Sequence, residues 1–417
     1  MNNKSSCVYT KISQCRICSS EQLTSLLSLG NQSLTGVFPK DEKFVVSSGP
    51  LELVKCGKCD LVQLAHSYEV SNMYGANYGY RSGLNGSMVR HLNTIVSSIT
   101  KKIDLRPDDL VIDIGSNDST TLRAYPDMNL DLVGIDPSGA KFKKFYPSDV
   151  KLIPDFFSAK VVKEHLGDKK AKVITSIAMF YDLEQPLKFM QEIAEVLSDD
   201  GIWVAEQSYL KFMLDTTSYD TICHEHLEYY GFKQIYEMAK KVNLKVLDVE
   251  FNDVNGGSFR FTVTHSNSKY PENKKLISSI LENEERIGLY SLKTFEAFKE
   301  RTQNHKVQIN NFFKKTLDDR KKVLGYGAST KGNVLLQYCG ITSRELPCIA
   351  EVNDDKFGAF TPGTAIPIVS EATARGMNPD YFFVLPWHFK EGILKREKPF
   401  LDSGKHFVFP LPGLEII

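Results

Sequence analysis

Apolar and polar positions along this chain follow two periods. Between residues 106 and 205, short runs rich in β-branched residues recur at Leu110–Ile114, Leu132–Ile135, Lys151–Ile153, Val173–Ser176 and Gly201–Glu206. Such runs predict strands buried on both faces. Helical spacing lies between them. From Pro186 to Leu197 the apolar positions Leu187, Met190, Ile193 and Leu197 share one helical face. Strand and helix in alternation predict an α/β domain with a parallel sheet. A second such unit opens near residue 321, with strands at Lys322–Gly325, Pro347–Val352 and Tyr381–His388. Residues 266–320 are charged, with Ile277, Ile280, Leu281 and Ile287, then Phe295, Phe298, Val307, Ile309 and Phe312, at helical spacing. This predicts a helix pair bridging the two units, its charges on a solvated face. An earlier helix runs through Met88, His91, Leu92, Ile95 and Ile99.

Each α/β unit begins with a glycine turn. In the first, Val111-Ile-Asp113-Ile-Gly115-Ser116-Asn117-Asp118 is a strand followed by a tight turn. Gly115 permits positive φ, and the run Asn117–Thr121 consists of residues that cap helices, so a helix is expected to start within it. The next strand ends on Asp136-Pro137, 21 residues after Gly115. At that spacing a carboxylate can accept both hydroxyls of a ribose. Ile177-Ala178-Met179-Phe-Tyr181 continues the fourth strand to the carboxyl edge, where ligands sit. This order fits a class I methyltransferase core at least as well as a dehydrogenase. In the second unit, Gly325-Tyr326-Gly327-Ala328-Ser329-Thr330-Lys331 resembles the start of a Rossmann unit, but Thr330 stands where a third glycine belongs. Lys331, at a helix N-terminus, is placed to meet a diphosphate. The following strand ends on Glu351. Two nucleoside-like sites in one chain suit a transfer from a nucleotide cofactor to a nucleotide-linked substrate.

Composition narrows the picture little. The 417 residues are 42% hydrophobic and 24% charged, enough for two or three ordinary globular domains. Lys+Arg and Asp+Glu are both 51, so no net field draws nucleic acid or an anionic membrane. No run approaches the roughly 18 apolar residues of a membrane helix. The polar opening Met1-Asn-Asn-Lys lacks the apolar stretch of a signal peptide, so a cytoplasmic protein is expected. Neither a nucleic acid nor a membrane is an expected partner, and the protein is expected as a monomer or a homodimer.

Two clusters carry chemistry. Cys15-Arg-Ile-Cys18 and Cys56-Gly-Lys-Cys59 are CxxC knuckles with 37 residues between them. Together they offer the tetrahedral set of four sulfurs that zinc prefers, and four thiolates leave no open position, so the zinc is structural. The second cluster is Tyr219-Asp-Thr-Ile-Cys223-His224-Glu225-His226-Leu-Glu228-Tyr229-Tyr230. It lacks the two histidines four apart that a zinc protease places on a helix. Metal ligation and proton transfer, with a carboxylate orienting an imidazole, are both open to it. Downstream, Gly256-Gly257-Ser258-Phe-Arg260 is a turn entering a strand, and Arg260 is a candidate to grip a phosphate or to pair on the surface. The aromatic run Met73–Tyr80 reads equally as packing or as a lid.

Taken in order, these motifs closely resemble the sugar C-methyltransferases. They are the four cysteines, Tyr78-Gly-Tyr80-Arg81-Ser82-Gly83, Ile114-Gly115-Ser116-Asn117-Asp118, His224-Glu225-His226, Gly257-Ser258-x-Arg260, the Gly325–Asn333 turn and Thr361-Pro-Gly-Thr-x-Ile-Pro-Ile368. The family acts on nucleotide-linked 4-keto-deoxysugars. The resemblance implies an α/β protein of three parts. These are an N-terminal zinc-binding domain (1–75), a central class I methyltransferase Rossmann-like domain (76–265) and a C-terminal Rossmann-like domain contacting the sugar nucleotide (266–417). It implies S-adenosylmethionine at Asp113, Gly115, Ser116, Asn117, Asp118, Asp136, Pro137, Ala178 and Met179. It implies substrate at Tyr181, Ser258, Arg260, Tyr326, Gly327, Ala328, Ser329, Lys331 and Glu351. The base implied is His226, beside Glu225, with His224, Tyr78 and Tyr80 as further catalytic candidates. It would remove a proton next to the ketone, usually at C3 and in some members at C5, and the resulting carbanion would take the methyl group.

Two positions depart from the family. Cys223 replaces the tyrosine that commonly precedes the His-Glu-His cluster, leaving Tyr78, Tyr80 or Tyr181 to supply the phenol. Ser119 stands where the family usually has glycine. The competing readings are an NAD-dependent oxidoreductase acting on a nucleotide sugar through the Gly325 turn, and a non-enzymatic zinc-ribbon module.

Overall fold

The computed structural model describes residues 9–69 and 80–417. In chain order the first elements are β1 (Tyr9–Lys11), β2 (Leu23–Ser33), β3 (Ser48–Cys56), β4 (Val62–Leu64), β5 (His66–Tyr68) and α1 (Gly86–Lys102). The central unit continues with β6 (Leu110–Ile114), β7 (Asp131–Ile135), α2 (Gly139–Phe142), β8 (Val150–Ile153), α3 (Ala159–Leu166), β9 (Ala171–Ile177), α4 (Pro186–Val196) and β10 (Leu197–Ser208). Next come α5 (Leu210–Asp215), β11 (Glu228–Tyr229), α6 (Phe232–Lys241), β12 (Leu244–Asn252), β13 (Ser258–His265), α7 (Lys274–Arg286) and α8 (Leu292–Asp318). The last unit holds β14 (Val323–Tyr326), α9 (Thr330–Cys339), β15 (Ile349–Glu351), β16 (Ile368–Ser370), α10 (Glu371–Gly376), β17 (Tyr381–Val384), β18 (His406–Phe409) and β19 (Glu415–Ile416).

The central sheet has seven strands in the order β12-β13-β10-β9-β6-β7-β8. Strands β10, β9, β6, β7 and β8 run parallel, and β13 is antiparallel to both its neighbours. Strand order reverses between β6 and β9, which opens a crevice at the carboxyl ends where such sheets bind ligands. Side chains on β10 and β13 explain its stability. Trp203, Phe259 and Phe261 are fully buried, each stabilising by about 1.5–3 kcal/mol relative to exposure. The C-terminal sheet, β16-β15-β14-β17-β18-β19, repeats the scheme with its own reversal between β14 and β17.

Two features depart from the sequence pattern. No regular helix follows Gly115: residues 116–122 are buried and only Leu122–Ala124 makes a 3-10 turn. The side chains expected to cap a helix bond elsewhere locally. Asp118 Oδ1 takes the Thr120 hydroxyl at 2.5 Å, and Asn117 and Ser119 adopt positive φ. Second, β11, which follows the His-Glu-His cluster, pairs not with the central sheet but with β4 of the N-terminal sheet, β11-β4-β3-β2. The largest apolar core joins that sheet (Leu51, Leu53, Leu64) to Met213 and Leu227 and to the C-terminal sheet. Among the described residues no helix is long and apolar enough to cross a membrane.

Candidate functional site

The four cysteine sulfurs Cys15, Cys18, Cys56 and Cys59 lie within 4.8 Å of one another, with Cys15 to Cys59 and Cys18 to Cys56 at 3.5 Å. A tetrahedral zinc with four thiolates asks for sulfurs about 3.8 Å apart, so the set fits. Each knuckle is a tight turn: Ser19 N–H donates to Cys15 O at 2.9 Å, and Asp60 N–H to Cys56 O at 3.1 Å. Ser19 and Asp60 take positive φ to close these turns. The second knuckle is clasped by α6 of the central unit, through Gln234 Nε2 to Cys59 O (3.0 Å) and Lys233 Nζ to Asp60 Oδ2 (2.7 Å).

At the carboxyl edge of the central sheet, Gly115 takes φ +72°, and a Cβ there would lie 3.3 Å from Met179 Cγ. Asp136 is buried; its Oδ2 accepts Asn117 N–H at 2.7 Å and its Oδ1 accepts Ser138 N–H at 2.7 Å. Ser116 Oγ meets Tyr146 OH at 2.8 Å. Asn117 Oδ1 and Asp118 Oδ2 accept the Ser82 and Gly83 amides, each at 3.0 Å, and Asn117 Nδ2 donates to Tyr80 O at 3.1 Å. The end of the aromatic loop thus rests on the glycine turn. Tyr80 itself is exposed, and Tyr78 lies outside the described residues. Ala178, at φ +55°, donates its N–H to Glu206 O at 2.7 Å, which sets Ala178-Met179 beside the end of β10. Pro137 follows Asp136 at the end of β7. Asp113 sits inside β6, where Thr175 Oγ1 donates to it at 2.5 Å, and burial pushes its carboxyl up to about 7.

The His-Glu-His cluster divides between two sides. His224 is fully buried edge-on against Tyr68 (4.7 Å), with burial lowering its pKa to about 4; it is part of the N-terminal core. Glu225 Oε2 accepts the Thr35 hydroxyl at 3.3 Å, a Cβ at Gly36 would lie 2.6 Å from its Oε1, and burial raises its carboxyl. His226 turns the other way, into a small cavity with Tyr181, Ser208 and Met213. Its Nδ1 lies 2.9 Å from Thr221 O, and Tyr181 packs edge-on against the ring at 4.3 Å. A carbonyl accepts only from N–H, so Nδ1 carries the proton and Nε2 keeps its lone pair. Burial, then the charge of Lys331, lowers this imidazole to about 3.

The C-terminal unit has its own glycine turn. Gly327 takes φ +77°, and a Cβ there would collide with Pro386 at 2.7 Å. Glu351 accepts Ala328 N–H (2.8 Å), Val352 N–H (2.7 Å) and Asn353 N–H (2.9 Å). Ser329 Oγ caps α9 by accepting Gly332 N–H at 3.0 Å. Lys331 Nζ reaches Asn255 O of the central unit at 3.0 Å. Trp387 Nε1 donates to Asp220 Oδ2 at 2.7 Å, while Asp220 Oδ1 is buried without a hydrogen-bond partner.

The structure therefore brings His226 and Tyr181 to one small cavity, with the Lys331 charge close enough to be felt by the imidazole. Others go elsewhere. Arg260 is held between Glu206 (3.7 Å) and Glu250 on the neighbouring strands, and two carboxylates already balance its charge, so a phosphate grip there is replaced by ion pairs inside the sheet. Tyr326 points its hydroxyl to Glu397 (2.9 Å) and Arg396. Ser258 Oγ donates to Val254 O at 2.9 Å. Asp220 and Trp387 are not picked out by the sequence reading, although Asp220 stands in the same polar run as His226 and Trp387 lies in the short turn after β17. Glu206, bonded to His91 at 2.5 Å and Asn252 at 2.9 Å, was also missed. It lies near the end of β10, and its partners come from α1 and β12.

A seven-stranded sheet with one antiparallel strand inserted beside its parallel five, an acid at the end of the second strand and a four-cysteine cluster defines a methyltransferase with a zinc-binding appendage. The comparisons agree. Residues 15–74 match a family model described as a zinc binding domain, 88–249 a methyltransferase domain, and 253–412 a C-methyltransferase C-terminal domain. The C-methyltransferase NovU of Streptomyces niveus is 30% identical over 409 residues, covering 97% of each chain. Among solved structures, the CcbJ methyltransferase of Streptomyces caelestis is 11% identical, over 42% of this chain and 90% of that one, with a TM-score of 0.33. The LepI complex with S-adenosylmethionine is 13% identical, over 44% of this chain and 54% of that one, with a TM-score of 0.32. The chain belongs to the C-methyltransferase family and is an S-adenosylmethionine-dependent C-methyltransferase with a zinc-binding domain. The oxidoreductase and zinc-ribbon readings fall with that assignment.

Proposed function

We propose that the protein transfers a methyl group from S-adenosylmethionine to a carbon of a nucleotide-linked 4-keto-deoxysugar, C3 in the first instance and C5 as the alternative. The observation that carries this reading is His226, whose Nδ1 proton is fixed on Thr221 O and whose Nε2 is left as a base in the small cavity it shares with Tyr181. S-adenosylmethionine, when bound, supplies an electrophilic methyl group on sulfur. Its ribose is read by Asp136, with Asp113, Gly115, Ser116, Asn117, Asp118, Pro137, Ala178 and Met179 around it. The nucleotide of the substrate lies along Gly327, Ala328, Ser329 and Glu351. His226 removes the proton next to the ketone, and Tyr181, packed on its ring, orients it. A general base of this kind contributes about 10²–10⁴-fold, and aligning carbon, methyl and sulfur adds to it. The zinc site stabilises the N-terminal sheet on which β11 rests, and so the loop that carries His226.

Mass spectrometry of incubations with a panel of 4-keto nucleotide sugars tests the reading. The expected result is a product heavier by one methyl group and S-adenosylhomocysteine formed only with a 4-keto substrate. In His226→Asn, methyl transfer and washout of α-deuterium should fall together by about 10²–10⁴-fold. Full activity in that variant would remove the histidine from the mechanism.

A further inference from the structure

The base alone does not make the reaction work. A proton next to a ketone leaves only if the electron pair it leaves behind has somewhere to go, and that place is the carbonyl oxygen. A donor must meet the oxygen where its charge develops. The phenol that commonly precedes the His-Glu-His cluster is here Cys223, buried and weak as a donor. Tyr229 directs its hydroxyl to Thr221 O at 3.3 Å, the same carbonyl that holds His226.

Lys331 answers the need by position. The side chain leaves the first turn of α9 and reaches the central unit, where Nζ donates to Asn255 O at 3.0 Å in the turn before β13. That contact carries it away from the Gly327 turn of its own unit, where a diphosphate would lie. Helix α9 packs against the turn Tyr219–Thr221, whose last carbonyl fixes the base. An ammonium has three donors, and Asn255 O uses one. Asp220 supplies an opposing charge from the same turn, anchored through Trp387 Nε1.

We propose that Lys331 is the electrophilic group of the methyl transfer, its ammonium donating to the ketone oxygen beside His226 and holding the enolate that forms. The assignment rests on the keto-sugar reading above. In the first step the α C–H bond breaks, its proton passes to His226 Nε2, and its electron pair moves through the C–C bond onto the oxygen held by Lys331. In the second step the pair returns through carbon. A C–C bond forms to the methyl group, the S–CH3 bond breaks with its electrons left on sulfur, and the ketone is restored. Before reaction the ammonium works against protonation of His226, which lies low in part for that reason. As the enolate develops, its charge offsets the ammonium, and the imidazolium then forms beside a neutral pair. The cation is therefore more favourable in the transition state than in the ground state, as catalysis requires.

The test uses the full-length, zinc-loaded protein with a 4-keto nucleotide sugar that the wild type methylates; failure of the wild type on every such sugar counts against the functional reading itself. In Lys331→Met and Lys331→Gln, α-deuterium exchange at saturating substrate should fall about 10²–10³-fold, while affinities for S-adenosylmethionine and for the free nucleoside diphosphate stay at wild-type values. Lys331→Gln keeps a donor for Asn255 O and guards against a folding defect. Lys331→Arg, which keeps the charge, should recover part of the exchange. The acid limb of kcat/KM should move upward in Lys331→Met, because the cation that lowers His226 is gone. Weaker nucleoside diphosphate binding with undiminished exchange at saturation would overturn the proposal in favour of a diphosphate contact. Loss of both ligand affinities in both variants would overturn it in favour of a structural role.

Discussion

The Gly115 and Gly327 turns are built from one plan and used differently. Each follows the first strand of a parallel sheet, each glycine takes positive φ, and each turn is tied back by a carboxylate at the end of the next strand. Asp136 accepts Asn117 N–H at 2.7 Å and Glu351 accepts Ala328 N–H at 2.8 Å. After the glycines they diverge. Beyond Gly115 the chain forms a buried polar loop, Ser116–Thr121, that receives the aromatic segment at Ser82 and Gly83. Beyond Gly327 it enters a regular capped helix that sends Lys331 to Asn255 O of the central unit. One turn runs into a buried polar loop; the other runs into a helix whose lysine bonds the central unit. The glycine and the acid report a nucleoside-binding plan, but what the loop does next is set by the partners it meets.

The glycines themselves give the largest expected difference. An alanine at either position must adopt the left-handed region, at about 1–2 kcal/mol. At Gly327 its Cβ also meets the Pro386 ring at 2.7 Å, which cannot swing away, whereas at Gly115 it meets the flexible Met179 side chain at 3.3 Å. Overpacking of the first kind adds about 1–3 kcal/mol. Denaturant unfolding should therefore show Gly327→Ala as clearly less stable than Gly115→Ala; equal losses would break the comparison.

The acids come next. Hydrogen bonds to charged groups are worth about 1.5–3 kcal/mol, so Asp136→Asn should weaken S-adenosylmethionine about 10–100-fold by calorimetry, with Glu351→Gln leaving that affinity unchanged. A loss in both variants would mean that the two turns do not divide the ligands between them.

A third difference concerns pH. Two residues before its glycine the central turn has Asp113, where the C-terminal turn has Gly325. Asp113 is raised to about 7 by burial, so the folded state holds a proton that the unfolded chain releases above its ordinary value of 3.8. Its contribution to stability is fully present below pH 3.8 and is lost as pH rises to about 7. Asp113→Asn should therefore raise stability near pH 8 relative to wild type and flatten its fall between pH 4 and 7; an unchanged pH profile would show that this carboxyl is not held protonated.

The smallest effects are at two serines. Ser329→Ala removes the cap of α9 and should cost about 1 kcal/mol. Ser119→Ala removes a buried hydroxyl without a hydrogen-bond partner and should be nearly neutral for the ligand-free fold.

Local pattern decided much of this protein. The β-branched runs at 110–114 and 132–135 became β6 and β7 with those bounds or one residue more, because a strand buried on both faces of a sheet is mostly apolar. The two CxxC knuckles turned their sulfurs to one point because a two-residue spacer leaves little alternative. The carboxylates 21 and 24 residues after Gly115 and Gly327 ended their strands at the ligand edge. Tertiary structure decided the rest. Capping residues after Gly115 predicted a helix, yet the side chains of Asn117 and Asp118 found the backbone of Tyr80, Ser82 and Gly83 instead. Arg260 looked available to a phosphate until strand register set Glu206 and Glu250 on either side of it. The His-Glu-His run carries no mark of which histidine lines the cavity; beside the pairing of β11 with β4, His224 is buried against Tyr68 and His226 packs on Tyr181. Asp220 and Trp387, 167 residues apart, form their hydrogen bond only because two sheets meet. Periodicity and spacing report how a segment satisfies its own backbone and which face it buries. A side chain's charge balance and hydrogen-bond partner depend on segments distant in the chain, and only the packing of the sheets against one another supplies them.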